Sequence, residues 1–424
     1  MNSVIQVDSS AAAQGPGAGD AVDVVVAGAG VVGVATAYAM ARRGFSVALV
    51  DRNPGPALGA SYANGAQLSY AYSDALGSPS LLKKLPSLAL GADPLFRIKG
   101  AFDVGLVDWG LRFLAASTSA ANAASTLATL ELGLESQRAM HGLLERHPIA
   151  FDHLAAGKMH LYFDPEALAS AAETVALKRR HGAVQEVLTA AEAIAIEPAL
   201  AGSKGLVGVV YSPQDEVGDP HRFSEQLIDV LRRDYGVRTY FNLDARNAEF
   251  ARDAVTLVGS RGDRVVGRTL VVALGIEAKD FLARQGVRVP LLPMKGYSFT
   301  AAAGANAPQV SITDTARKLV FCQLAGKVRV AGVAELGSRD LRVQPQRLAA
   351  LVETARESLP DAADYSGIAG GWAGLRPMTP SSVPIIARPR ERLIVNVGHG
   401  MLGWTLAMGS AERAAALLLG AGET

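Results

Sequence analysis

The sequence predicts an α/β protein in which a Rossmann-like dinucleotide-binding domain is interleaved with an α+β domain carrying an antiparallel sheet. Near the start, the small β-formers Val24, Val25, Val26 and Ala27 run into Gly28-Ala29-Gly30-Val31-Val32-Gly33. Near the end, the strand-like stretch Arg392–Val397 runs into a second glycine turn and an Ala/Leu-rich stretch reaching Gly420. Between them, Leu291 to Thr300 and Val328–Glu335 form a more β-rich region. A chain whose two ends share one theme and whose middle follows another is built from interleaved domains.

The first unit reads strand, tight turn, helix, strand. After the glycines comes an alanine-rich stretch without charge until Arg42, then Gly44 and a second strand, Ser46 to Val50, ending in Asp51. In such a unit Gly28 permits the sharp turn, Gly30 lets backbone approach a pyrophosphate, and Gly33 lets helix and strand pack closely. The phosphates rest on the helix N-terminus at Val31 and Val32, where free N–H groups and the helix dipole favour negative charge. Asp51 is placed to accept hydrogen bonds from ribose hydroxyls, with Arg52 beside it. The run Val24–Ala41 is apolar enough to resemble a membrane span, but glycines at motif spacing after a β-rich start argue for the nucleotide unit.

With 424 residues the chain is long enough for two domains, each with its own core. Hydrophobic content of 49% with a formal charge of +1 describes a globular protein and offers no basic run for nucleic acid. The single cysteine, Cys322, excludes a disulfide framework and a multi-cysteine metal site, and the histidines form no ligand pair, so no metal is expected. The first twenty or so residues, rich in Ala, Gly and Ser, lack a signal peptide's basic start and apolar core. They read as a disordered tail, 1–21, on a cytoplasmic protein.

After Asp51 comes RNPGPALGASYANGAQLSYAY, a loop of small residues. Such a run suits backbone lying against a bound nucleotide, with Ser61, Ala63, Asn64 and Gly65 able to approach without steric cost, and Gln67 next in line. From Ser78 to Phe113, leucines interleave with Lys83, Lys84, Arg97 and Lys99. The segment Leu81–Lys99 fits an interfacial membrane contact, a lid over a pocket, or a packed helix pair.

A long helix is expected over Ser117 to Arg146, a strand at Lys158–Phe163 and a helix at Pro165–His181. Thr189 with Glu192 forms a capping box. A strand over Gly205–Tyr211 precedes the loop Ser212–Pro220, with Pro220 starting a helix. Val237–Asn242 and Thr269–Gly275 supply two more strands to the nucleotide domain, and Gly275 ends the second where backbone passes near a cofactor. Ala245 follows the first of these. A helix is expected at Gln344–Ser358, and Gly371–Pro380 is expected to precede the last strand.

Five stretches, GAGVVGVATAY (28–38), ANGAQLS (63–69), KGYSFT (295–300), GLRPMTP (374–380) and GHGMLGWTLAMGS (398–410), carry a resemblance to the FAD-dependent amino acid oxidase and dehydrogenase family. This family includes D-amino acid oxidase, glycine oxidase, sarcosine oxidase and, most similar, the bacterial D-amino acid dehydrogenases. The resemblance implies non-covalent FAD, because Cys322 is not in the motif of the covalent flavoproteins. It makes Arg376 the carboxylate-binding arginine, a role that a planar, bidentate guanidinium suits. Tyr297 is implied as a substrate contact, and Tyr70 and Tyr72 as weaker candidates for a lid. Gly398, His399, Gly400, Leu402, Gly403, Trp404 and Thr405 become cofactor contacts in the turn and the helix start, with His399 positioning rather than transferring protons. The stretch Asp215–Asp219 resembles that of the dehydrogenases, without an assigned chemical role. Ser381-Ser382 and Ile276-Glu277-Ala278 depart from the family's usual residues and leave substrate identity open.

The expected FAD domain takes 22–80, 212–285 and 371–424, and the substrate domain 81–211 and 286–370. The implied reaction is oxidation of a small D-amino acid by hydride transfer from Cα to flavin N5, giving a 2-oxo acid and ammonia. Electrons pass to a quinone or another acceptor, either in the cytoplasm or peripherally on the inner face of a membrane. The alternative is a glycine/sarcosine- or hydroxyproline-type amine oxidase or dehydrogenase on the same fold.

Overall fold

The computed structural model describes residues 21–79, 81, 95–99, 104–368 and 370–420. The expected N-terminal tail and most of the basic, leucine-rich segment lie outside the described residues. Two sheets dominate, of eight and nine strands among the described residues.

At the centre of the first sheet is the strand Val22–Ala27, with Val47–Val50 on one side and Arg264–Val272 on the other, both parallel to it. Arg238–Tyr240 extends the sheet beyond Val47–Val50 and Leu393–Val397 extends it beyond Arg264–Val272, again in parallel. These central strands are buried on both faces, which is why they read as continuous apolar runs rather than alternating ones. One face is covered by the helices Val31–Ala41, Pro220–Tyr235 and Gly403–Leu419. The apparent membrane span therefore divides into a strand, a turn and an 11-residue helix. Among the described residues no helix is long and apolar enough to cross a membrane.

The second sheet is mostly antiparallel and includes Trp372–Met378, Leu292–Ala302, Lys327–Leu336, Leu319–Leu324, Ser311–Asp314 and Lys158–Tyr162 in that order. Its core lies beneath the helix Pro345–Ser358. Strand Trp372–Met378 is a correction to the sequence reading. The stretch Gly371–Pro380 is not merely a lead-in to the last strand, nor part of the first sheet. It pairs with Leu292–Ala302 over the whole run from Trp372↔Ser298 to Met378↔Leu292.

Most element starts follow local chemistry. The long helix begins at Ser119, because Thr118 accepts the Ala121 N–H and a preceding helix, Val104–Ala116, occupies the residues before it. The capping box of Thr189 and Glu192 forms as expected. Asp219 caps the helix Pro220–Tyr235 by accepting from the His221 and Arg222 amides, and Gly236 ends it in the left-handed region. The strand expected from Gly205 starts later, at Gly208.

The first turn shows why its glycines differ. Gly28 has φ +104°, and a Cβ on Gly33 would lie 1.7 Å from the Gly28 carbonyl oxygen. A Cβ on Gly30 would meet only Ser61 Oγ, at 3.7 Å. Gly33→Ala is therefore expected to destabilise the fold by about 1–3 kcal/mol or more, because backbone cannot yield as a side chain can. Gly30→Ala should leave thermal stability of the ligand-free protein nearly unchanged. Melting curves of the two variants check this, and equal losses would remove the distinction.

Candidate active site

The two sheets meet around a cavity of about 590 Å³, within the roughly 300–1,000 Å³ usual for small-molecule sites. The first sheet contributes the turn Gly28–Val32, the end of Val47–Val50 and the turn after Leu393–Val397. The second contributes Gly296 and the strand from Trp372 to Pro377.

At one end, Gly28, Gly30, Val31, Val32, Asp51, Arg52, Ser61, Asn64, Ala245 and Gly275 all reach the wall, as expected from the sequence. The helix Val31–Ala41 starts at Gly30 with no side-chain cap and no acid in its first turn. Its Val31 N–H donates to Ser61 Oγ at 3.2 Å. Asp51 does more than face the cavity. Its carboxylate accepts the Ala29 N–H at 2.6 Å and the Asn53 N–H at 2.8 Å, so it also fixes the turn.

At the other end, Gly296 and Gly374 are register partners on neighbouring strands. A Cβ on Gly296 would lie 2.4 Å from the Arg376 guanidinium, and one on Gly374 would lie 2.2 Å from the Trp372 indole. The two large side chains thus lie flat on a floor of bare backbone. The Arg376 guanidinium has no hydrogen-bond or ion-pair partner among the described residues. Burial lowers its pKa to about 10, which leaves it charged at neutral pH.

The turn Gly398–Gly403 closes this end, tied to the strand by a bridge between Met378 and His399. Gly398, His399, Gly400, Gly403 and Trp404 line the cavity. His399 is buried, its Nε2 lacks a partner, and burial pulls its pKa down to about 3, so it stays neutral. The helix Gly403–Leu419 also begins without a side-chain cap or a first-turn acid.

The remaining expected residues sit behind the wall and hold it. Gly33 packs on Gly28, and a Cβ on Gly65 would press on Val320 at 2.9 Å. The Ala63 carbonyl accepts from Ser298 Oγ at 2.5 Å, and Gln67 Nε2 donates to Ser311 Oγ at 2.7 Å. Thr405 Oγ1 accepts the Ser69 N–H at 2.9 Å, and Leu402 ends the short turn before the last helix. Tyr297 borders the cavity, yet it is 1% exposed, belongs to the second core, and has Lys295 Nζ 4.8 Å from its ring centroid. Tyr70 donates to Glu216 in the first core and Tyr72 stacks on His160, so neither forms a lid over the cavity. All three tyrosines have raised pKa values, chiefly from burial.

The Asp215–Asp219 loop has a structural role. Asp215 accepts the Ala71 N–H at 2.8 Å, Glu216 contacts His141, His153 and Tyr70, and Asp219 caps a helix. Trp372, Leu341 and Met401 line the cavity but are not singled out by sequence reasoning. Strand periodicity over Trp372, Gly374 and Arg376 would have placed all three on one face.

The family model for "FAD dependent oxidoreductase" (DAO) matches residues 23–417. "D-amino acid dehydrogenase 2" of Ralstonia nicotianae is 39% identical over 407 residues, covering 93% of this chain and 96% of that protein. The D-amino acid dehydrogenase of Paramagnetospirillum magneticum is 37% identical over 402 residues, with 94% and 95% covered. Among solved structures, glycine oxidase from Bacillus cereus aligns with TM-score 0.71 at 20% identity, over 94% of this chain and 95% of that one. L-proline dehydrogenase from P. horikoshii aligns with TM-score 0.74 at 16% identity, over 96% and 95%. These two likenesses show the fold.

The cavity residues fit FAD. Two helix starts whose N-cap residues supply no side-chain cap border the cavity, Gly30 leaves room for backbone approach, and the buried Asn396 Oδ1 and His399 Nε2 at its wall lack partners among the described residues.

The neutral state of His399 makes a pH prediction. Its folded pKa of about 3 lies below the ordinary 6.5, so the unfolded chain takes up a proton first as pH falls. The stability linked to this group is present above pH 6.5 and is lost as pH falls toward 3. His399→Gln should therefore narrow the difference in melting temperature between neutral and acidic buffer. An unchanged difference would show that another group controls the acid limb.

Proposed function

The chain belongs to the FAD dependent oxidoreductase family, and from that premise we propose that it oxidatively deaminates a D-amino acid. The observation that carries this reading is the Arg376 guanidinium, lying on the Gly296–Gly374 floor without a partner among the described residues. A half-buried cation held this way invites a carboxylate, which it can grip through two parallel hydrogen bonds. The relatives' names supply the D configuration.

In this reading, Arg376 fixes the substrate carboxylate and so orients Cα within the cavity. Bound FAD supplies the two-electron acceptor. His399, neutral by burial, adds no positive charge to the cavity wall. The uncapped start of the helix Gly403–Leu419 favours negative charge at its end of the cavity. Loss of the Cα hydrogen with its electron pair, together with an amine proton, gives the imino acid. Water then hydrolyses this to the 2-oxo acid and ammonia. Tyr297 borders the same cavity, with its ring packed in the second core.

Non-covalent binding of FAD agrees with the position of Cys322, which is buried beside Ser311 outside the cavity wall. A quinone or another carrier takes the electrons, at a peripheral contact on the inner face of a membrane. The helix Val104–Ala116 supports that contact: it buries Trp109 and Phe113 and exposes Val107, Leu111 and Leu114. The described part of the basic segment before it does not add to that contact, since Leu95 is buried and Lys99 pairs with Glu335.

Anaerobic mixing of the FAD-loaded protein with D- and L-amino acids, glycine and sarcosine tests the reading. D-amino acids should bleach the flavin absorbance, and a quinone should restore it faster than air. Bleaching only by glycine or sarcosine would transfer the enzyme to the amine-oxidase branch. Arg376→Ala should retain FAD yet lose roughly 100-fold in kcat/KM, the scale of a lost charge-assisted interaction. An activity close to that of the unaltered enzyme would remove Arg376 from its assigned role.

A further inference from the structure

Arg376 accounts for the substrate's carboxylate and leaves its side chain unassigned. The cavity wall gives two constraints on that side chain. The first is charge. Arg52 faces Glu277 at 3.6 Å, Arg246 pairs with Asp244 at 2.8 Å, and Arg339 pairs with Asp280 at 3.0 Å. Asp51 accepts the Ala29 N–H, and Arg284 donates to the Arg246 carbonyl. Every charged side chain of the described wall other than Arg376 is therefore engaged within the protein. A cationic substrate side chain would find no free acid, and the other wall cation without an acidic partner, Arg284, is exposed and bonded to the Arg246 carbonyl. Desolvating a charge without a partner is costly, so the wall favours a neutral side chain.

The second constraint is shape. Trp372 and Arg376 share one face of their strand, and Gly374 between them lets the indole lie flat. The indole is half-buried and borders the cavity. Two large apolar residues complete the same end. Leu341 is 52% exposed and Met401 is 49% exposed, although each lines the cavity. Their positions follow from the backbone. The Arg342 carbonyl, next to Leu341, accepts from Lys295 Nζ, and Lys295 pairs across the ladder with Leu375. Met401 follows His399, which bridges to Met378 on the Trp372–Met378 strand. Both residues thus flank the segment that carries Trp372 and Arg376.

We propose that Trp372 is a platform for the substrate's side chain, with Leu341 and Met401 as its apolar rim. The enzyme then selects neutral, apolar D-amino acids such as D-leucine, D-methionine and D-phenylalanine over D-aspartate and D-lysine. This rests on the amino acid reading above and deepens it. Trp372 touches the side chain and determines specificity, while Arg376 binds what all substrates share.

The test separates binding from turnover. Unreactive carboxylates are titrated into the FAD-loaded protein, and the change in flavin absorbance gives Kd. Hydrocinnamate and isocaproate should bind more tightly than propanoate, and succinate should gain nothing from its second carboxylate. Trp372→Ala should weaken hydrocinnamate by about tenfold, as expected for lost apolar contact in a pocket, and leave propanoate within about twofold. Trp372→Phe should restore most of the hydrocinnamate affinity. Leu341→Arg should shift flavin bleaching toward D-aspartate by about tenfold relative to D-leucine.

Equal weakening of propanoate and hydrocinnamate in Trp372→Ala would overturn the proposal. So would loss of FAD from that variant with the ligand preference unchanged in Trp372→Phe, or equal bleaching of the parent enzyme by D-leucine, D-aspartate and D-lysine. Absence of bleaching by every D-amino acid would instead refute the reaction. The carboxylate series needs no turnover and would still decide the role of Trp372.

Discussion

The arrangement depends on how one stretch of backbone passes between the two sheets. Residues 63–71 leave the first sheet and are gripped from both sides. Ser298 and Ser311 of the second sheet bond Ala63 and Gln67, while Thr405 of the last helix accepts from Ser69. Lys158 donates to Ser69 Oγ at 2.5 Å, and Gln67–Leu68 pairs with Glu216–Val217 in a small antiparallel ladder. Backbone crossing a buried seam must find partners for its N–H and C=O groups. Here those partners come from both sheets, so satisfying the seam also fixes the sheets relative to the cavity.

This seam carries unusual buried charge. Burial raises the Asp215 pKa to about 6 and lowers that of Lys158 to about 8, against partial compensation by their mutual attraction. Lys178 lies close by, paired with Asp74 at 2.6 Å. An apolar core would avoid that desolvation cost, but it could not satisfy the Ala71 amide or the Ser69 hydroxyl. The charged seam is therefore tied to the route of the chain, and its residues do not line the cavity.

The legible parts of the sequence were those where one local rule suffices. Gly28, Gly30 and Gly33 have separate steric duties at fixed spacing, and the capping box at Thr189 and Glu192 is complete within one turn. Arg376 was legible through family resemblance, and the structure shows why the site around it accommodates an arginine. The packing of other residues depends on contacts distant in sequence. Tyr297 lies in a motif, but the bulge between Lys295 and Tyr297 sets its register against Lys327–Leu336, and its ring belongs to the second core. Nothing local to Tyr70 shows that its hydroxyl partner is Glu216, 146 positions later. Nothing local to Trp372 shows that Gly374 pairs with Gly296.

That pairing explains how an unpartnered arginine is tolerated. A half-buried guanidinium without a carboxylate loses part of its hydration, and the downward shift of the Arg376 pKa reflects this loss. An acidic neighbour would relieve the penalty but would occupy the hydrogen bonds that a ligand needs. Instead, the side chain is supported sterically: Gly296 removes the Cβ that would displace it, and Gly374 does the same for Trp372 beside it. The cation is thus positioned without being neutralised. A carboxylate entering this end recovers interaction energy that the protein itself leaves unused. Elsewhere in the described wall Glu277, Asp244 and Asp280 are already paired with Arg52, Arg246 and Arg339. In the proposed reading, selection of a single carboxylate rests on where the protein completes its charge pairs and where, among the described residues, it leaves one open.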